Sequence, residues 1–314
     1  MKRQIILLFS FLGALPLHAD LFSWSGERAN NDFSDPANWS PSLAFGTADT
    51  LVIDSDRVSE PIILRSDVEF GMLQLTNNTK TIVVRAENDA RMSIPGIVAP
   101  DERNVIDIIS CYASSGTNRI DADIVLSCTG TARFKSGRGT LWLSGVISEA
   151  TEGIPVQYNR NDPSSQRLVT GLNTYSGITK LNSDTLAVSS LGMAGQPSAL
   201  GLNKQVDIGY KGSRTSALVY VGEGEKTDKD FQWGGGSGSS SFQNRSATGP
   251  VEFAGTLLFP DYGTLNLSGS NPGTNIVRAS ICNPENSGGT DAIKLGVNLT
   301  SIDTSTWLLT GDNT

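Results

Sequence analysis

Gly171-Leu172-Asn173-Thr174-Tyr175-Ser176-Gly177-Ile178-Thr179-Lys180-Leu181-Asn182-Ser183-Asp184-Thr185-Leu186-Ala187-Val188 holds the pattern that decides the fold. Its last four residues are a short alternating run of β-formers, and Gly171, Asn173, Gly177, Asn182, Ser183 and Asp184 around them are turn formers. The same texture continues outward in both directions. Thr81-Ile82-Val83-Val84, Thr140-Leu141-Trp142-Leu143, Val251-Glu252-Phe253 and Gly263-Thr264-Leu265-Asn266-Leu267 are further runs, each closed by Gly, Asn, Asp or Ser. Many short strands joined by turns predict an all-β fold. No convincing amphipathic helix appears beyond residue 20.

The strands repeat loosely. Leu141-Trp142-Leu143-Ser144-Gly145, Leu265-Asn266-Leu267-Ser268-Gly269 and Trp307-Leu308-Leu309-Thr310-Gly311 share a strand, a hydroxyl and a glycine, and Arg167-Leu168-Val169-Thr170-Gly171 is a weaker copy. Asn173 and Asn313, in matching contexts, stand 140 residues apart, which suits several coils of a solenoid rather than one. Stacked coils of short strands bury one continuous core, with glycine and asparagine at corners that need positive φ. A β-sandwich or propeller competes, but immunoglobulin-type Cys and Trp spacings are absent. The Gly234–Ser241 run is expected to be a coil corner; no Gly-Lys-Ser/Thr follows it to make a phosphate loop.

The amino-terminal end sets the compartment. Lys2 and Arg3 precede an apolar run from Ile5 to Leu17, and Leu17-His18-Ala19 offers a cleavage site before Asp20. Residues 1–19 are therefore expected to be a signal peptide, too short to span a bilayer. Cleavage leaves 22 of the 24 basic residues against 32 acidic ones, moving the net charge from −8 to −10. Such a chain is a poor nucleic-acid binder and repels anionic lipid. His18 is the only histidine, so residues 20–314 contain none. Ser-His-Asp and Cys-His catalysis and histidine-ligated zinc are excluded there. Cys111, Cys128 and Cys282 leave two readings open: a Cys111–Cys128 disulfide with Cys282 free, or three small buried residues.

Gly171–Val188 resembles the autotransporter-associated β-strand repeat, also called the passenger-associated transport repeat: a strand ending in Gly, Asn-Thr-Tyr-Ser/Thr-Gly, a Thr-rich strand, then Gly-Thr-Leu. Asp184 stands where that motif has Gly. Ser198-Ala199-Leu200-Gly201, Val206-Asp207-Ile208-Gly209 and Leu265–Gly269 follow in the motif's order, so the resemblance covers residues 139–314. The opening from Trp24 to Trp39, with Asn38-Trp39-Ser40, is similar to the first module of large exported proteins that carry these repeats. Residues 55–138 resemble no motif. The resemblance implies a right-handed parallel β-helix: an aromatic-rich N-terminal cap or first coils at 20–54, then β-solenoid over 55–314. It implies secretion to the outer surface of a bacterial cell or outer membrane, as a stalk with a structural or adhesive role. The chain stops inside the motif at Asn313-Thr314, so a longer product is expected.

Within that frame Asn173 and Gly177 are expected at corners, with Tyr175 and Leu186 packing. No catalytic, cofactor-binding or metal-binding residue is expected, and no membrane insertion. Partners would be a surface polysaccharide or a ligand on a host or neighbouring cell. The alternative is a polysaccharide-active lyase or glycosidase built on paired carboxylates. Asp121 with Asp123, on one strand face, and Asp228 with Asp230 are the candidates. A groove gathering three or more carboxylates with an Arg or Lys would favour it. A secreted carbohydrate-binding module on Trp24, Trp39 and Trp142 is a third possibility, and requires a tryptophan exposed on a flat face.

Overall fold

The alternating runs are strands of one winding chain. A computed structural model describes residues 19–26, 30–76, 80–112, 116–160, 166–182, 185–209, 216–233, 239–258, 264–282, 294–297 and 304–311. The expected leader lies outside these residues apart from Ala19, as does most of the Gly234–Ser241 run. Among the described residues the only helices are two single 3-10 turns, Pro36–Asn38 and Ser55–Arg57. No helix among them is long and apolar enough to cross a membrane.

Three strands per coil stack in parallel into a β-solenoid of about nine turns. On the first face Thr50–Asp54, Met72–Thr76, Val105–Cys111, Thr131–Ser136, Val156–Arg160, Thr179–Asn182, Gln205–Ile208, Asp230–Trp233, Thr256–Leu258 and Ser280–Cys282 pair in order. The second face runs from Ile62–Leu64 to Lys294–Val297 and includes Thr140–Leu143, Gln166–Val169 and Thr185–Val188. Paired residues of neighbouring coils lie 19 to 36 residues apart along the chain, as Leu186 opposite Arg167 and Ile109 opposite Leu73 show.

The third face is broken. Val68–Glu69, Arg91–Ile94, Asp123–Leu126 and Ile147–Glu149 form one sheet, and Glu225–Thr227, Val251–Phe253, Thr274–Val277 and Thr306–Leu309 form another. In between, residues 170–178 and the excursion 189–204 carry no strand there and touch through a bridge between Asn173 and Ser198.

Alternation explains the core. Strand side chains point in and out by turns, so Leu73, Ile109, Phe134, Tyr158, Leu181, Ile208 and Trp233 stack in register as one inward row. All are buried. Phe134 and Tyr158 stack with ring centroids 5.7 Å apart.

Of the glycines of the strand-hydroxyl-glycine pattern, Gly269 has the expected positive φ, at +136°, but Gly145 and Gly171 have a different cause. Gly145 and Gly171 do not occupy the left-handed region; each sits where its coil presses on the backbone of the coil before. A Cβ on Gly145 would overlap the Ala122 carbonyl, and one on Gly171 the Gly145 carbonyl. Close approach of coils requires these glycines.

At the amino-terminal end Leu21–Trp24 pairs parallel with Thr50–Asp54 and antiparallel with the two-residue strand Trp39–Ser40. Trp39 stands edge-on to Trp24, Phe33 and Phe45 at 5.2, 5.1 and 5.3 Å. Its indole N–H donates to the Phe33 carbonyl at 2.9 Å. The aromatic-rich opening is thus a packed plug over the first coil.

Candidate functional site

The four candidate carboxylates do not converge. Asp121 follows the second-face strand Thr117–Ile120, and Asp123 begins the third-face strand Asp123–Leu126. A corner with buried Ala122 separates them, so they do not share a strand face as the alternation predicts. Asp121 accepts from Arg119 Nε and Ser144 Oγ, with Arg85 Nε at 3.8 Å. Asp123 accepts the Val146 N–H at 2.8 Å. Asp228 accepts the Ala194 N–H at 2.6 Å; Asp230 accepts the Thr256 N–H at 2.8 Å and pairs with Lys204 at 3.1 Å. Each carboxylate is engaged in bonds within the solenoid.

The tryptophans answer similarly. Trp24 and Trp39 are buried in the plug. Trp142 is half-buried on the outside of the second face. The Arg119 guanidinium lies 4.0 Å from its ring centroid, Leu168 stands opposite it in the next coil, and its indole N–H donates to Thr170 Oγ1 at 2.9 Å. It serves as a rung between coils.

Two surface hollows bear on the question. One, about 370 Å³, is lined by Glu223, Glu225, Lys226 and Glu252. That composition matches what a carboxylate enzyme would need, but Glu252 pairs with Lys226 at 2.9 Å and Arg278 at 3.1 Å, while Glu225 binds backbone N–H groups of the 189–204 excursion. The carboxylates aim at different partners. Hydrogen bonds from Lys226, chiefly, hold the Glu252 carboxyl below the usual range. The other hollow, about 360 Å³, is lined by Ser127, Cys128, Thr131, Glu152 and Ile154. Cys111 and Cys128 are buried, and no disulfide joins them. The Cys282 side chain lies outside the described residues. No group of three metal-ligating side chains occurs among the described residues.

A further polar cluster was only partly anticipated, since sequence reasoning named Asp228 but not its neighbours. Glu225, Thr227, Asp228 and Lys229 fasten the excursion 189–204. Glu225 accepts from the N–H of Leu191 and, at 3.2 Å, of Gly192. Thr227 Oγ1 donates to the Gly192 carbonyl at 2.7 Å. Lys229 is fully buried, and its ammonium donates to the carbonyls of Gly201 and Asn203 at 2.9 and 2.6 Å. Burial pushes Lys229 down to about 8, opposed by the charges of Asp228 and Glu225. Burial also pushes the Glu225 carboxyl up, opposed by the Leu191 and Gly192 N–H groups. The available signal was alternation: Thr227, Lys229 and Phe231 occupy successive inward positions.

The repeat-like residues are architectural. Asn173 is buried; it accepts the Ile147 N–H at 2.8 Å and donates to the Ala199 carbonyl at 3.0 Å. The Tyr175 hydroxyl bonds Thr179 Oγ1 at 2.7 Å, and Thr179 donates on to the Leu200 carbonyl at 2.7 Å. A Cβ on Gly177 would overlap the Ile154 carbonyl. Leu186 is core.

No known family profile matches the chain, and no solved structure matches it. It is similar to the adhesin BmaC autotransporter of Brucella suis biovar 1 (strain 1330), with 28% identity over 180 residues and 54% of this chain covered. The matched part spans 5% of that adhesin's length. With the parallel solenoid, the similarity fits an autotransporter passenger-like protein, without identifying a repeat family.

Proposed function

We propose that the chain is an exported segment of a bacterial surface passenger, serving as a structural or adhesive stalk without catalysis. The observation that carries this is the uninterrupted parallel ladder of the first face, taken with the similarity to an autotransporter adhesin. About nine turns at roughly 4.8 Å each make a rod about 40 Å long. Coils held by nearest-neighbour contacts can carry a binding region away from a cell. The engagement of Asp121, Asp123, Asp228 and Asp230 in inter-coil and excursion bonds supports the non-catalytic part. The expected ligand is a surface polysaccharide or a molecule on a host or neighbouring cell.

Surface display is tested by labelling intact cells with an antibody to the solenoid, before and after protease shaving. Labelling that shaving removes supports display; signal only in lysed cells overturns it. Incubating the purified protein with a polysaccharide panel is expected to release no reducing ends or unsaturated products. Release that Asp121→Asn or Asp228→Asn abolishes would restore the enzyme alternative.

A further inference from the structure

We propose that residues 190–197 form a flap held shut by the Glu225 carboxylate and released by acid. The excursion has two differently fastened limbs. The second, 198–203, is anchored by buried Ala199 and Leu200, by Asn173 and by both Lys229 bonds. The first is fastened through Leu191 and Gly192 N–H to Glu225, Ala194 N–H to Asp228 and the Gly192 carbonyl to Thr227. It meets the second limb through Gly195 N–H to the Leu202 carbonyl at 2.8 Å and the Ala199 N–H to Ser190 Oγ at 2.9 Å. Leu191 is its buried apolar anchor, while Met193, Gly195, Gln196 and Pro197 are exposed. Gly192 and Gly195 lie at φ +69° and +77°, and a side chain on Gly195 would meet no atom within 4 Å. The tip therefore has conformational freedom at both ends.

The carboxylate matters because two N–H groups converge on it. An ionised carboxylate accepts both strongly, one on each oxygen, whereas protonation turns one oxygen from an acceptor into a donor and sets it against the N–H it held. The groups facing Glu225 are Tyr220 from the preceding strand and Lys229 beyond its own strand, and behind them Glu223 acts on Tyr220 and Asp228 on Lys229. Val251 stands opposite it in the next coil, and residues 190–203 contribute no titratable group. Burial already raises the Glu225 carboxyl, moving its protonation toward mild acid. The flap is independent of surface display, which could fail without affecting it.

Hydrogen exchange of the full-length exported protein tests the flap at about pH 7.5 and about pH 5, after correction for intrinsic rates. Protection of residues 190–197 is expected to fall roughly tenfold in acid, with 200–203, whose Leu200, Gly201 and Leu202 amides bond Ser198 and Tyr175, as the unchanged internal reference. Glu225→Gln is expected to show the low protection at both pH values, and Glu223→Gln to behave as the parent. Equal protection of 190–197 at both pH values, a parallel loss over 200–203, or pH dependence surviving in Glu225→Gln would each overturn the proposal. The parent comparison decides the matter even if Glu225→Gln does not fold.

Discussion

Arg133 Nε donates to Asp107 Oδ1 at 2.6 Å across two adjacent coils, outside the solenoid core yet out of water. The strap 95–104, whose Ile97–Val98 runs antiparallel to Val105–Cys111, covers the pair. It adds Asp101, at 2.7 Å from Arg133 Nη2, and Glu102. Hydrogen bonding from Arg133 lowers the Asp101 carboxyl, and the Arg133 guanidinium is raised by Asp107 and Asp101 against its own burial. Removing one member of a buried pair strands the other, which costs about 3–5 kcal/mol. Arg133→Met should therefore lower the urea midpoint sharply and open the strap to trypsin at Arg103. Asp101→Ala removes a partner that is 57% exposed and should cost about 1 kcal/mol or less. Equal losses in the two variants would refute this ranking.

Lys229 predicts an unusual alkaline response. Its folded pKa of about 8 lies below the ordinary lysine value, so between the two the unfolded chain holds a proton that the folded chain has released. Stability contributed by this group accordingly rises with pH above about 8. Buried tyrosines impose the upper limit. Burial raises Tyr220 to about 12, and raises Tyr158 and Tyr175 further. Tyrosines ionise first in the unfolded chain, at about pH 10, and stability falls above that point. Thermal midpoints should climb from about pH 8 to about pH 10 and then drop. Lys229→Met should abolish the climb and keep the drop.

Two glycines separate close approach from backbone conformation. Gly171→Ala drives a methyl into a carbonyl of the previous coil and should cost about 3 kcal/mol. Gly153, at φ +92° with no atom within 4 Å of an added Cβ, should cost only about 1 kcal/mol as alanine. Differential scanning calorimetry of both variants gives the order directly, and a reversed order would contradict the stacking explanation.

Trp39→Ala removes the ring that three other aromatics abut, a loss of about 3–5 kcal/mol. The short Trp39–Ser40 strand then detaches, and the Leu21–Trp24 edge becomes available to other chains. Light scattering should show concentration-dependent association of this variant. A monodisperse monomer would argue that the plug has no shielding role.

Much of the fold was legible because period-two alternation survives at the level of single strands. Thr140–Leu143 and Thr185–Val188 were readable as half-buried, and they are. Asp121 and Asp123 misled because a solenoid corner fits within two residues and carries the chain from the second face to the third between them. Gly145 and Gly171 were recognised as special for the wrong reason, since contact between coils leaves no mark in a single coil's sequence. Lys229 escaped because its partners, Gly201 and Asn203, are carbonyls that no residue type announces.

The break in the third face gives the rod a direction of weakness. Two faces resist bending with continuous backbone ladders, but at residues 170–178 and 189–204 the third has no strand. The Asn173–Ser198 bridge, single backbone bonds such as Thr174 N–H to Ile147 and Leu202 N–H to Tyr175, and side-chain clasps take its place. A lateral load will therefore flex the rod at mid-length, about an axis parallel to that face, while the other two act as an intact spine. Stiffness in this molecule depends on the side from which it is pushed.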